Sequence, residues 1–190
     1  MTRIIAGAAR GRRLAVPPGT RTRPTSDRAR EGLFATITAR HDGLGGARVL
    51  DLYAGSGAVG LEALSRGAGQ VLLVESDERA ARVIRANITA IGLPGARLVT
   101  GRVAAVLARG PGPVPGYDVV VADPPYAVAD EEVTAMLTAL HTGGWLAPGA
   151  LVAVERASRS AAVCWPAGYV ADGSRRYGEA TFWYGLAAGM

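Results

Sequence analysis

The sequence predicts an α/β fold: a doubly wound, mostly parallel seven-stranded sheet with an antiparallel C-terminal hairpin, preceded by a small N-terminal β-hairpin and helix extension. Three observations predict it. Short apolar runs alternate five times with stretches of helical spacing, the signature of βα units wound on a parallel sheet. A glycine-rich turn follows the first of these runs and opens a helix, as in nucleotide-binding βαβ units. The rhythm then breaks near the C-terminal end, where aromatic and β-branched segments flank a polar turn.

The elements follow in order. Ile4-Ile5-Ala6 and Leu14-Ala15-Val16 flank Ala8-Ala9-Arg10-Gly11-Arg12, which reads as a short hairpin with arginines at its turn. Pro17-Pro18-Gly19 ends its second strand, since proline cannot donate to a ladder. Thr25 or Ser26 can cap a helix whose first turn holds Asp27. Ala29, Leu33, Phe34 and Ile37 follow at helical spacing, with Arg28 and Arg30 expected off that stripe and facing outward. Residues 1–41 therefore read as a basic extension and 42–190 as the main domain. In the latter, Val49–Leu52, Val71–Val74, Leu98–Val99, Asp118–Ala122 and Leu151–Val154 are the expected buried parallel strands. Val59–Arg66, Glu78–Ile91, Val103–Ala108 and Glu131–Leu140 are the expected helices between them. Gly168-Tyr169-Val170, a polar turn through Asp172-Gly173-Ser174, and Thr181–Tyr184 form the closing antiparallel pair.

Composition excludes several classes of protein. With 190 residues, 49% hydrophobic and 19% charged, the chain fits one well-buried globular domain. No apolar run reaches the roughly 18 residues of a membrane span. The N-terminal stretch lacks the apolar core of a secretory signal, so a cytoplasmic location is expected. One cysteine, Cys164, cannot make an internal disulfide, and with only His41 and His141 beside it no structural metal is expected. All 21 basic residues are arginine. Residues 1–30 hold eight of them against one acid, a charge of +7, while the remainder carries −2. A near-neutral body with a cationic arm points to a polyanionic partner, because phosphate contacts release condensed counterions. A solvated tail or an arm for acidic lipid would share that charge pattern. Arg10, Arg12, Arg13, Arg21, Arg23, Arg28 and Arg30 are the candidate residues for contacting a nucleic acid.

Gly55-Ser56-Gly57-Ala58-Val59-Gly60 formally matches a dinucleotide loop. Asp51, four positions before Gly55, argues for another ligand. A carboxylate in that crevice repels a pyrophosphate and attracts the ammonium and sulfonium of S-adenosylmethionine. A helix cap or loop hydrogen bond is the plainer use of Asp51. Glu75, at the end of the second strand, can accept from vicinal ribose hydroxyls and so supports a nucleoside cofactor of either kind. Asp77 reads as the cap of the next helix. Asp123-Pro124-Pro125-Tyr126 stands directly after the fourth expected strand, at the edge where α/β sheets bind ligands. An sp² amine is a poor nucleophile because its lone pair is delocalised. Acceptors around its N–H groups, the Asp123 carboxylate and the Pro124 carbonyl, would stabilise positive charge developing on nitrogen. The prolines hold that backbone rigid and Tyr126 can stack on a base. Read alone, the tetrapeptide is only a turn.

Asp51-Leu52-Tyr53-Ala54-Gly55-Ser56-Gly57, Glu75 and Asp123–Tyr126 resemble the class I, Rossmann-like methyltransferases. The segments Arg3–Gly7, Arg10–Leu14 and Arg23–Phe34, with Arg176-Tyr177-Gly178, resemble the bacterial RsmD family over essentially the whole chain. That resemblance implies methylation of the exocyclic N2 amino group of a guanine in 16S rRNA, in a small ribosomal subunit or its assembly intermediate. It implies S-adenosylmethionine as cofactor and S-adenosylhomocysteine as product. No metal is needed where the leaving group departs from a sulfonium, and nothing in the sequence demands a partner chain, so a monomer is expected. Asp51, Tyr53, Gly55, Ser56, Gly57, Glu75, Ser76, Arg102 and Val103 are the implied cofactor-binding positions, and Asp123, Pro124, Pro125 and Tyr126 the catalytic ones. Arg102 departs from the class, which often has an acid there for the adenine amino group. Adenine-N6 methylation of DNA or RNA suits the same tetrapeptide. A nicotinamide-dependent oxidoreductase, or an RNA-binding module without catalysis, fits the residues less well.

Overall fold

The computed structural model of the chain describes residues 2–18, 26–41 and 43–188. The extension comprises β1 (Thr2–Arg3), β2 (Arg13–Leu14) and α1 (Asp27–Arg40). The βα units are β3 (Arg48–Leu52), α2 (Ala58–Ser65), β4 (Gln70–Glu75), α3 (Glu78–Ile91), β5 (Ala96–Thr100) and α4 (Val103–Leu107). They continue through β6 (Tyr117–Ala122), α5 (Asp130–Thr142) and β7 (Leu146–Ala157), and the chain closes with β8 (Tyr169–Tyr177) and β9 (Ala180–Ala187). The seven-stranded sheet has the order β5-β4-β3-β6-β7-β9-β8. Its first five strands are parallel, and β9 inserts antiparallel between β7 and β8. The strand order reverses between β3 and β6, which opens a crevice at their carboxyl ends.

Alternation along the buried strands sorts the core into two layers. Val49, Val71, Leu73, Val119, Val121, Leu151 and Ala153 face one cluster, and Leu50, Leu52, Leu72, Val74, Val120, Ala122, Val152 and Val154 face the other. The first layer also holds Ile4, Leu14, Leu33, Phe34 and Ile37, so the extension and the sheet share one core. Buried polar groups fasten the extension to α2. Glu62, wholly buried, accepts from the Ile5 and Ala6 N–H groups at 2.7 and 3.0 Å. The Ser65 hydroxyl accepts from Ala9 N–H at 2.9 Å. Gly7 lies so close to the Ser65 backbone that a Cβ there would clash with it.

Three expectations need correction. The N-terminal hairpin exists, but its ladder pairs Thr2 with Leu14 and Arg3 with Arg13. Ile4 is buried in the core just beyond that ladder, whereas the expected strand started at it. Asp172-Gly173-Ser174 is not the closing turn; it is a bulge within β8, where Gly173 has φ +87° and Asp172 pairs with Arg40 at 2.9 Å. The turn falls at Gly178, φ +63°, and Glu179. Arg30 does not face outward. It sits three, four and seven positions before Leu33, Phe34 and Ile37, on their own stripe. Its side chain is 1% exposed and is met by Asp27, Glu62, the Thr2 hydroxyl and the Arg3 carbonyl.

Candidate active site

A cavity of about 370 Å³ opens at the carboxyl ends of β3, β4, β6 and β7. It gathers most of the sequence-predicted set: Asp51, Tyr53, Gly55, Ser56, Glu75 and Ser76 on one side, and Asp123 through Tyr126 on the other. The volume lies in the range of small-molecule sites.

The glycine loop is shaped by three different requirements. Gly55 has φ +57° and faces open space, so a ligand can approach its backbone. Gly57 has φ +77°, turns the chain into α2, and does not line the cavity. At Gly60 a Cβ would stand 2.8 Å from Val71, so glycine lets α2 pack close on the sheet. Tyr53 has φ +61°, the one left-handed non-glycine residue among those described, and such strain is held where the surroundings fix the backbone. The two acids lock this geometry. Asp51, 3% exposed, accepts the Gly60 N–H through Oδ2 at 2.8 Å. Glu75 accepts from Gly55 N–H and Asp77 N–H, both at 2.8 Å, tying the glycine loop to the start of α3. Burial pushes the Asp51 carboxyl up to about 7, against the Gly60 hydrogen bond and with the Glu75 charge reinforcing the rise. Asp77 caps α3 through Arg79 and Ala80, as its position predicted, and its side also borders the cavity.

The Asp123–Tyr126 turn leaves β6 with Asp123 N–H directed at the Leu52 carbonyl, 3.3 Å away. The Val128 N–H closes back on the Pro125 carbonyl at 2.9 Å. Arg156, 5% exposed, supports the turn from the other face of β7, donating to the Val128 carbonyl at 2.9 Å and to Asp130 at 2.8 Å. Tyr126 is 57% exposed, presenting its ring at the cavity mouth. Burial, and then the charges of Glu155 and Asp123, raise its phenol above the usual range.

Arg102 and Val103 do not join the cavity. Arg102 is exposed at the start of α4, and Val103 packs with Val106 and Leu107 in the second core layer. Of the candidate RNA-binding arginines, Arg10, Arg12, Arg13 and Arg28 are exposed. Arg12 also donates to the Ala90 and Ile91 carbonyls at the end of α3. Arg21 and Arg23 lie outside the described residues. Sequence reasoning missed Val16 and Pro17, which bring the extension to the cavity wall, and Phe182 and Glu155 on its far side. Only Glu155 left a signal: a single acid ending an apolar strand at the ligand-binding edge. Asn87, 2% exposed, joins extension and glycine loop, bonding both polar backbone groups of Ala15 and the Ser56 carbonyl. No group of three or more His, Cys, Asp and Glu among the described residues is placed to hold a metal ion.

The family model described as "Conserved hypothetical protein 95" matches residues 2–185. Ribosomal RNA small subunit methyltransferase D of Escherichia coli K12 is 40% identical over 153 residues, covering 80% of this chain and 73% of that protein. Its Haemophilus influenzae namesake is 36% identical over 154 residues, 80% of this chain and 77% of that one. Among solved structures, Escherichia coli yhhF superposes with a TM-score of 0.82 at 32% identity, over 100% of this chain and 99% of that one. The hypothetical protein TTHA0928 of Thermus thermophilus gives 0.78 at 34% identity, over 97% and 98%. Sheet order, antiparallel closing strands and these likenesses define a Rossmann-like class I methyltransferase fold. Within that class the chain belongs to the RsmD family.

Proposed function

We propose that the chain methylates the exocyclic N2 amino group of a guanine in 16S rRNA, using S-adenosylmethionine and acting as a monomer on a small subunit or its assembly intermediate in the cytoplasm. The observation that carries the reading is one cavity holding the Asp51–Gly55–Glu75 constellation and the Asp123–Tyr126 turn side by side. The cavity suits the cofactor: open space at Gly55 admits its backbone-hugging portion, buried Asp51 favours its ammonium, and Glu75 keeps lone pairs for ribose hydroxyls. S-adenosylmethionine supplies a methyl carbon on a sulfonium, so the C–S electron pair leaves with sulfur.

The residues of this chain then act on the amine. Asp123 and the Pro124 carbonyl accept its two N–H groups and draw the nitrogen toward tetrahedral geometry as its lone pair bonds to the methyl carbon. The nitrogen becomes acidic once alkylated, and its proton passes by way of Asp123 to water. Tyr126, exposed at the mouth, offers a ring for the unpaired base. Exposed Arg10, Arg13 and Arg28, with Arg21 and Arg23 outside the described residues, are assigned to phosphate contacts; Arg30 is withdrawn by its burial.

Small subunits from cells lacking the protein, incubated with it and methyl donor, should gain N2-methylguanine at one position by mass mapping. N6-methyladenine without N2-methylguanine would sink the reading.

A further inference from the structure

The Asp123–Tyr126 turn suits any amine on a planar base, so something else must choose the base. We propose that Glu155 makes the choice: its carboxylate accepts the N1–H of a guanine whose N2 amino group lies at Asp123 and the Pro124 carbonyl. This assignment rests on the guanine-N2 reading and extends it to a residue with no part in that reading.

Placement comes first. Ala122 of β6 pairs in parallel register with Val154 of β7, so Asp123 and Glu155 stand level at the carboxyl ends of neighbouring strands. Neighbouring strands are about 4.8 Å apart, so both carboxylates reach the edge of a single base. Glu155 follows Leu151 and Ala153 at alternate positions on the face shared with Val121, and both Val121 and Glu155 line the cavity. Its register partner on β9, Phe182, is 1% exposed and forms the adjoining wall. The charge of Glu155 is felt at the Tyr126 phenol together with that of Asp123. Two aromatic rings, Tyr126 and Phe182, and two carboxylates therefore line the half of the cavity away from the glycine loop.

Chemistry then fixes the base. Guanine presents adjacent donors, N1–H and the N2 amino group, along its Watson–Crick edge. Adenine presents an amino group beside N1, which is an acceptor. A carboxylate accepts only, so Glu155 forms a charge-assisted hydrogen bond with guanine N1–H and repels the lone pair of adenine N1. Glu155 is 4% exposed and lines the cavity, so its carboxylate meets a base inside the cavity rather than in bulk solvent. A site built around such an acceptor rejects a ligand lacking the matching donor.

The test compares Glu155→Gln with wild type on small subunits, reading kcat/KM, product identity, S-adenosylhomocysteine binding by calorimetry, and thermal melting. The expected result is a loss of kcat/KM of about ten- to a hundred-fold, as for a hydrogen bond to a charged group. S-adenosylhomocysteine affinity should stay within about twofold, because the loss lies on the base side. A merely structural Glu155 would lower the melting point and cofactor affinity together, overturning the assignment, as would wild-type kcat/KM. Should the variant fail to fold, the wild-type enzyme decides it on subunits carrying 1-methylguanine at the target. Stalled turnover there supports Glu155, and turnover at the normal rate removes it. Failure of the underlying reading shows separately, as N6-methyladenine in the wild-type product.

Discussion

Asp51 and Asp123 are both carboxylates on one cavity, yet their surroundings assign them opposite sensitivities. Asp123→Ala should abolish turnover while S-adenosylhomocysteine affinity changes by less than about fivefold, which single-turnover kinetics and calorimetry can separate. For Asp51 the readout is pH. Its carboxyl is raised from 3.8 to about 7, so between those values the folded state holds a proton that the unfolded state has lost. The Asp51 contribution to stability therefore falls as pH rises through that window, and Asp51→Asn should flatten the dependence of Tm between about pH 4 and 7. A cationic ligand reverses the preference, because its ammonium favours the ionised carboxylate. Cofactor affinity should drop up to about tenfold per unit below pH 7 and level off above it, with proton release visible across buffers of different ionisation enthalpy. The identity of both acids was legible in the sequence because strand ends and spacing are local features. Glu155 was harder to read, since its meaning comes from the level pairing of β6 with β7.

At the scale of elements, the extension is where sequence reading succeeded in outline and failed in detail. Charge density marked it as an arm, but only helical arithmetic over Arg30, Leu33, Phe34 and Ile37 separates a buried arginine from exposed ones. Neutralising Arg10 and Arg13 should weaken RNA binding and reduce the salt slope by about one for each phosphate they no longer neutralise. Arg12 should affect stability as well, since it bonds the last carbonyls of α3. Arg30→Ala is expected to leave the salt slope alone and to cost about 3–5 kcal/mol in urea unfolding, because Glu62 then stays buried without its cationic neighbour on α1. The remaining bonds of Glu62 to Ile5, Ala6 and Arg66 favour the low end of that range. The parallel strands were easier to read than the closing hairpin. Apolar runs announce burial on both faces, whereas Asp172-Gly173-Ser174 has turn composition but is used as a bulge.

At the scale of the molecule, the cavity walls run from Val16 to Phe182, so nearly the whole chain must be in place before a site exists. A ligand that binds only this assembled cavity stabilises the entire fold by mass action. S-adenosylhomocysteine at about a hundred times its Kd should add about 2.7 kcal/mol, a rise in Tm of roughly 5–10 °C for a domain of this size. Deleting residues 2–18 should remove that rise even if the sheet still melts cooperatively, because Val16 and Pro17 go with it.

The same span has a consequence in time. A chain emerging from the ribosome makes β3, the glycine loop and β4 first, and Phe182 follows every other residue that lines the cavity. Until β9 has inserted between β7 and β8, the far wall is missing and the nascent chain has no complete pocket to fill. The half of the cavity that faces the base is therefore completed after the glycine-loop half, and competence for methyl transfer arrives in that late step.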